Sequence, residues 1–202
     1  MDGSHQGVYR FDGEIAVPAG FFSYAGPSGL LPHQPSTNRW VWVDQNGDGS
    51  CQANEFVQPS STARGGCAGT VDSKGAVWYL AWNGTIECWK ITGFNAQGVP
   101  LYSTSAIDTA TCPARIVRRE RIFYDADRDE MWIAGNVPEK PAPQDNGQYM
   151  PAGHAIIRVD GWSKGNRAVS LEVPISYGES SSDSVMVAKS FALAGDYLFV
   201  SH

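Results

Sequence analysis

One five-residue pattern returns along this chain and constrains its fold more than any other feature. It reads Tyr9-Arg10-Phe11-Asp12-Gly13, then Trp89-Lys90-Ile91-Thr92-Gly93, then Ile157-Arg158-Val159-Asp160-Gly161. A basic residue between two apolar ones suits a β-strand with one wet and one buried face, because successive side chains point to opposite sides. The closing glycine supplies the turn. A second pattern is a pair of apolar segments around a tight polar turn: Val71–Leu80, Phe123–Ala134 and Phe191–Val200. Each predicts a β-hairpin. A third element follows the basic strand, at Val99–Tyr102 and again at Ala168–Val173. Hairpin, basic strand and outer strand make four antiparallel strands, the unit of a β-propeller blade. The expected fold is therefore all-β. It is a β-propeller, or a propeller fragment of about three four-stranded antiparallel blades, occupying residues 1–202 as one partial region.

The copies lie further apart than the ~40–50 residues of simple propeller repeats, so they carry insertions. One insertion is Asp44-Gln45-Asn46-Gly47-Asp48-Gly49-Ser50-Cys51-Gln52-Ala53-Asn54-Glu55. It meets the calcium-loop pattern D-x-[DN]-x-[DN]-G-x5-E at every specified position. Calcium takes six to eight oxygen ligands, and this spacing sets them around one point. Asp44, Asn46 and Asp48 would offer side-chain oxygens and Ser50 its backbone carbonyl. Gln52 would ligate directly or through water, and Glu55 would close the shell with both carboxylate oxygens. The plain alternative is a polar Asn/Asp/Gly turn between strands. The entering segment, Trp40-Val41-Trp42-Val43, is β-branched and aromatic, so the loop sits on a strand rather than between two helices. The other insertion contains the Pro-rich stretch 137–147, a surface loop by composition.

Composition bounds the function classes. Charged residues make up 18% of the 202, with seven tryptophans and 22 glycines, a balance suited to a β-rich globular domain. The net charge of -6 speaks against a nucleic-acid groove. No apolar run approaches the length of a membrane span. Four cysteines, Cys51, Cys67, Cys88 and Cys112, fall within one third of the chain and suggest two disulfides with three possible connectivities. Cys51 with Cys67 is the pair that would staple the loop. Disulfides and a modest-affinity calcium loop both suit an extracellular or periplasmic location. The N-terminus shows no signal peptide, so a mature or excised form is expected.

The chain resembles secreted bacterial β-propellers of the NHL and SMP-30-like group that carry an inserted dockerin-type, EF-hand-like calcium loop. The resemblance rests on the blade patterns above and on residues 44–55. The expected function is a calcium-stabilised extracellular module that binds or scaffolds a protein or carbohydrate ligand without catalysis of its own. The alternative is a hydrolase, lactonase-like or glycan-cleaving, with its site in the propeller channel. SMP-30-like relatives imply a channel ion held by Glu, Asn and Asp from separate blades, and no such set can be assigned here. Asp72, Asp125 and Asp196 occupy equivalent hairpin positions but read as turn makers. His154 enters a strand and reads as structural. Arg115, Arg118, Arg119 and Arg121 read as a charged edge strand. Seven tryptophans invite a carbohydrate-binding reading, with Trp40 and Trp42 on one strand face and Trp78 and Trp82 on another; Trp78 and Trp132 match between blades, so packing core is the preferred reading, with Trp82 the exposed one. About three blades cannot close a ring, so self-association or membership of a longer chain is expected.

Overall fold

The computed structural model describes residues 5–24, 29–36, 39–59, 63, 66–139, 153–165, 167–175 and 190–201, and only the backbone of 66, 67 and 106. The Pro-rich stretch from residue 140 onward and the Ser-rich stretch 178–184 lie outside the described residues. Regular structure is β-strand apart from two short 3-10 turns, Ala53–Glu55 and Trp162–Lys164. No helix among the described residues is long and apolar enough to cross a membrane.

Two compact units divide the chain. The first holds most of two sheets. One is built from β1 (His5–Asp12), β2 (Ile15–Ser23), β3 (Trp40–Val43) and β4 (Phe56–Val57), in that spatial order. The other is built from β5 (Gly66–Val71), β6 (Val77–Ala81), β7 (Thr85–Phe94) and β8 (Pro100–Thr111), again in chain order. The second unit repeats the plan with β9 (Arg118–Asp125), β10 (Glu130–Asn136), β11 (Ala155–Asp160) and β12 (Leu171–Pro174). It adds a hairpin of β13 (Ser190–Ala194) and β14 (Tyr197–Ser201). Three four-stranded antiparallel meanders and a hairpin make an all-β protein compatible with a propeller fragment.

The sequence patterns land where hairpins and third strands were expected. Phe123 pairs with Trp132 across β9–β10, and Phe191 pairs with Val200 across β13–β14. Lys90 lies on β7 and Arg158 on β11, each the third strand of its sheet. Tyr9–Gly13 differs. It forms β1, the first strand of its sheet, and turns through Gly13 at φ +61° into β2. The pattern encodes a two-faced strand and a turn. It does not encode the strand's rank, which is decided by what β2 pairs with next, namely β3.

In the first unit the two sheets pack face to face. Phe22 of β2 meets Trp89 edge-on at 5.5 Å and Tyr102 edge-on at 5.0 Å. Tyr24 and Tyr79 are stacked. Val41, Val43, Val77 and Val99 fill the same cluster. Such aromatic pairs add about 0.5–1.5 kcal/mol beyond the area they bury. One ion pair sits inside this interface. Arg39 reaches fully buried Glu87, donates to the Ala63 carbonyl at 3.1 Å, and lies over the Tyr24 and Tyr79 rings. In the second unit Trp132, Ala134, Ile156 and Ile175 pack with Phe191, Leu193, Leu198 and Val200. Trp78 and Trp132 are buried on the second strands of their sheets, and Trp82 is 54% exposed, as expected.

Removing one partner of a buried ion pair leaves a charge without its counter-charge. Arg39→Met is therefore expected to cost about 3–5 kcal/mol in urea unfolding, with Arg39→Met/Glu87→Met recovering much of the loss. A double variant no more stable than the single one would show that the pair does not act as a unit.

Candidate metal centre

β3 delivers the chain into the 44–55 loop. The strand ends at Val43, and the Asp44 amide donates to the Ala19 carbonyl at 3.1 Å, so the first loop residue is still tied to the sheet. Asp44 is fully buried. Its Oδ1 accepts the amides of Gly47 and Asp48 at 2.9 and 3.1 Å, and its Oδ2 accepts that of Gly49 at 2.9 Å. The loop thus curls around its own first carboxylate. Gly47 and Gly49 make the curl possible with φ of +79° and +76°, a conformation that costs other residues strain.

The remaining predicted residues fall into place around this turn. Asn46 Oδ1 accepts the Asp48 amide at 3.0 Å, and its Nδ2 donates to Asp48 Oδ2. Asp48 also accepts the Ser50 amide at 2.7 Å and Gln52 Nε2 at 2.8 Å. These donors, led by the Ser50 amide, hold the Asp48 carboxyl below its usual range. Its contribution to stability is thus present above the ordinary value of 3.8 and is lost as pH falls through the lowered folded value. Glu55 ends the loop in the first 3-10 turn and is 2% exposed. Its Oε1 accepts the Gln45 amide at 2.9 Å, and its Oε2 accepts the Trp42 indole at 2.9 Å and the Gln52 amide at 3.2 Å.

Each of the three carboxylates therefore accepts three N–H donors out of about four lone-pair sites. Gln52 Oε1 is buried and faces the Glu55 amide in a capping box, but that amide donates to the Gln52 carbonyl at 3.1 Å and no full hydrogen bond reaches Oε1. These are all hard oxygen donors, which fits calcium or magnesium rather than a softer metal. The carboxylates themselves turn to the loop's amides. Among the described residues no three His, Cys, Asp or Glu side chains form a cluster that could hold a metal.

Three distant residues buttress the loop, and the sequence carried no signal for them. Asn95 Nδ2 donates to the carbonyls of Asp44 and Gln45 at 3.3 and 3.1 Å. Arg10 Nη2 donates to the Gly47 carbonyl at 3.0 Å. Gln97 packs against Gly47 so closely that a Cβ there would lie 2.6 Å from it. Trp42 was expected to be core only, and its indole N–H is in fact a partner of Glu55.

Cys51 is a free thiol, so the expected staple from Cys51 to Cys67 is not made. Its side chain lines a cavity against Tyr9 and Phe21 instead. Burial, together with the charges of Glu55, Asp44 and Asp48, pushes the Cys51 thiol up. Cys112 is a buried free thiol, and the Cys67 side chain lies outside the described residues.

Other candidates resolve into structural roles. Asp72 accepts the Lys74 amide, and Asp125 accepts those of Asp127 and Arg128, so both shape hairpin turns. Asp196 pairs with Arg128. His154 Nδ1 stands 2.8 Å from Asn136 Nδ2. Arg115 is held by Glu139 and Glu172, and Arg118 and Arg121 lie on β9, an edge strand.

Fold and loop together define an antiparallel, propeller-like β protein with an acidic oxygen-donor loop in its first sheet. No protein-family model matches the chain, and no curated protein matches it.

In chelator, Glu55→Ala is expected to lower stability by about 1–3 kcal/mol, because the indole of Trp42 and the amides of Gln45 and Gln52 lose a buried acceptor. Urea titration reads it. A loss below about 0.5 kcal/mol, the range of an ordinary surface substitution, would show that the Glu55 network holds nothing together.

Proposed function

We propose that this chain is a calcium-stabilised, extracellular or periplasmic propeller-type module that binds or scaffolds a ligand and has no catalysis of its own. Residues 44–55 take one calcium ion through Asp44, Asn46, Asp48, the Ser50 carbonyl, Gln52 and Glu55. The observation that carries this reading is the donor set. Gln52 has a buried side-chain oxygen that faces the Glu55 amide, a donor already given to the Gln52 carbonyl, in a contiguous loop whose three carboxylates each keep a lone pair. Bound calcium would cross-link the two ends of the loop, and hence β3 to β4. Because one loop supplies every ligand, few coordination positions stay open to a substrate, which favours a structural role. The likeness to NHL and SMP-30-like propellers belongs to the same proposal and draws support from the four-stranded meanders.

For an affinity of about 0.1–1 mM, ordinary for an extracellular calcium module, millimolar calcium adds about 0.4–1.4 kcal/mol. Thermal melts with calcium and with chelator should differ by a matching shift, and Asp48→Ala should abolish the difference while lowering the chelator melt modestly through the three N–H donors it strands. An identical midpoint in both conditions, with no calcium found by metal analysis, refutes the reading.

The scaffolding half of the proposal concerns the β13–β14 hairpin. Tyr197 and Phe199 stand 72% and 57% exposed on one of its faces. Propeller sheets bury both faces against neighbours, so association of copies is the expected behaviour. Light scattering during size-exclusion chromatography should give a mass above 21.8 kDa. A monomer at all concentrations would count against it.

A further inference from the structure

A cavity of about 490 Å³ opens beside the loop, on the face of the first sheet that points away from the sheet-on-sheet core. Its wall is made of cross-strand neighbours. Tyr9 pairs with Pro18, and Phe21 pairs with Trp42. Leu31 and Pro32 close the opposite side, and Gly49, Ser50 and Cys51 of the loop also line it.

The volume lies within the ~300–1,000 Å³ of small-molecule sites. Three aromatic rings from one sheet face offer flat stacking surfaces. No charged side chain lines the space, and the nearby Asp44, Asp48 and Glu55 disfavour an anion; a cation would meet ring faces but no free carboxylate on the lining, since those three are held by N–H donors of the loop and Trp42. The polar residues on the lining are Ser50 and Cys51. Tyr9, at 58% exposure, leaves its ring open for a ligand to cover. We infer that this cavity is a binding site for a neutral small molecule bearing a flat apolar ring and a hydrogen-bonding group. Loop residues belong to the site, so a ligand there also contacts the 49–51 backbone.

The test uses N-phenyl-1-naphthylamine, which is neutral, flat and carries one N–H. It is titrated into the whole chain in chelator, so the result stands or falls independently of calcium binding. Probe emission should rise saturably with one-to-one stoichiometry, and tryptophan emission should be quenched by transfer from Trp42. Leu31→Trp and Cys51→Phe each fill the cavity and should weaken binding about tenfold. Leu31 lies outside the sheets, so its variant keeps the test intact if Cys51→Phe misfolds. Val169→Ser, an exposed apolar residue between β11 and β12, should leave the titration unchanged. The sulfonated anionic analogue, 1-anilinonaphthalene-8-sulfonate, should bind at least several-fold more weakly. Non-saturable emission, equal binding by the folded Leu31→Trp variant, or loss of binding in Val169→Ser would each overturn the assignment.

Discussion

β3 is buried on both faces, and the first unit depends on that. All four residues of Trp40-Val41-Trp42-Val43 are buried. Val41 and Val43 join the core shared with the neighbouring sheet. Trp40 packs against Phe21 and Phe56 on the other face, and Trp42 gives its indole N–H to Glu55. A strand that is apolar on both sides must be sandwiched, because either face left in water would forfeit about 1.5–3 kcal/mol for each large side chain. One side is covered by the neighbouring sheet; on the other, Phe21 and Phe56 of the flanking strands pack on Trp40 and Glu55 of the returning loop holds Trp42. The loop is thus the cover of a strand face as well as a candidate ion site.

Charge management in the loop follows from the same burial. Asp44 and Glu55 are both out of water, and a buried carboxylate is tolerated only when its oxygens are hydrogen-bonded. Nine N–H contacts satisfy the loop's three carboxylates. Loop carbonyls are satisfied from outside, by Arg10 and Asn95. The loop's shape is therefore held by donors from β1 and from the β7–β8 turn as well as by its own glycines.

Much of the fold was legible in the residues. Alternation and polar turn residues located the β5–β6, β9–β10 and β13–β14 hairpins, because strand period and turn chemistry are local properties. Lys90 and Arg158 marked two-faced strands for the same reason. Tyr9–Gly13 matched the pattern and took a different rank, since rank depends on pairing with a strand far along the chain. The Cys51–Cys67 bridge misled for a related reason: closeness in sequence does not decide which residues meet in space, and Cys51 is a free thiol on the cavity lining. The six loop residues were legible by type and order, and their partners Trp42 and Asn95 were not.

The sequence by itself determined the β class, the hairpins, the acidic oxygen-donor loop and its glycine corners, all of which follow from steric and hydrogen-bonding preferences within about a dozen residues. Only the tertiary structure decided that Glu55 hangs from Trp42 and that Asn95 and Arg10 clasp the loop. It alone placed Tyr9, Phe21 and Cys51 around one cavity. These are contacts between residues distant along the chain, set by which faces pack together, and no local preference encodes them.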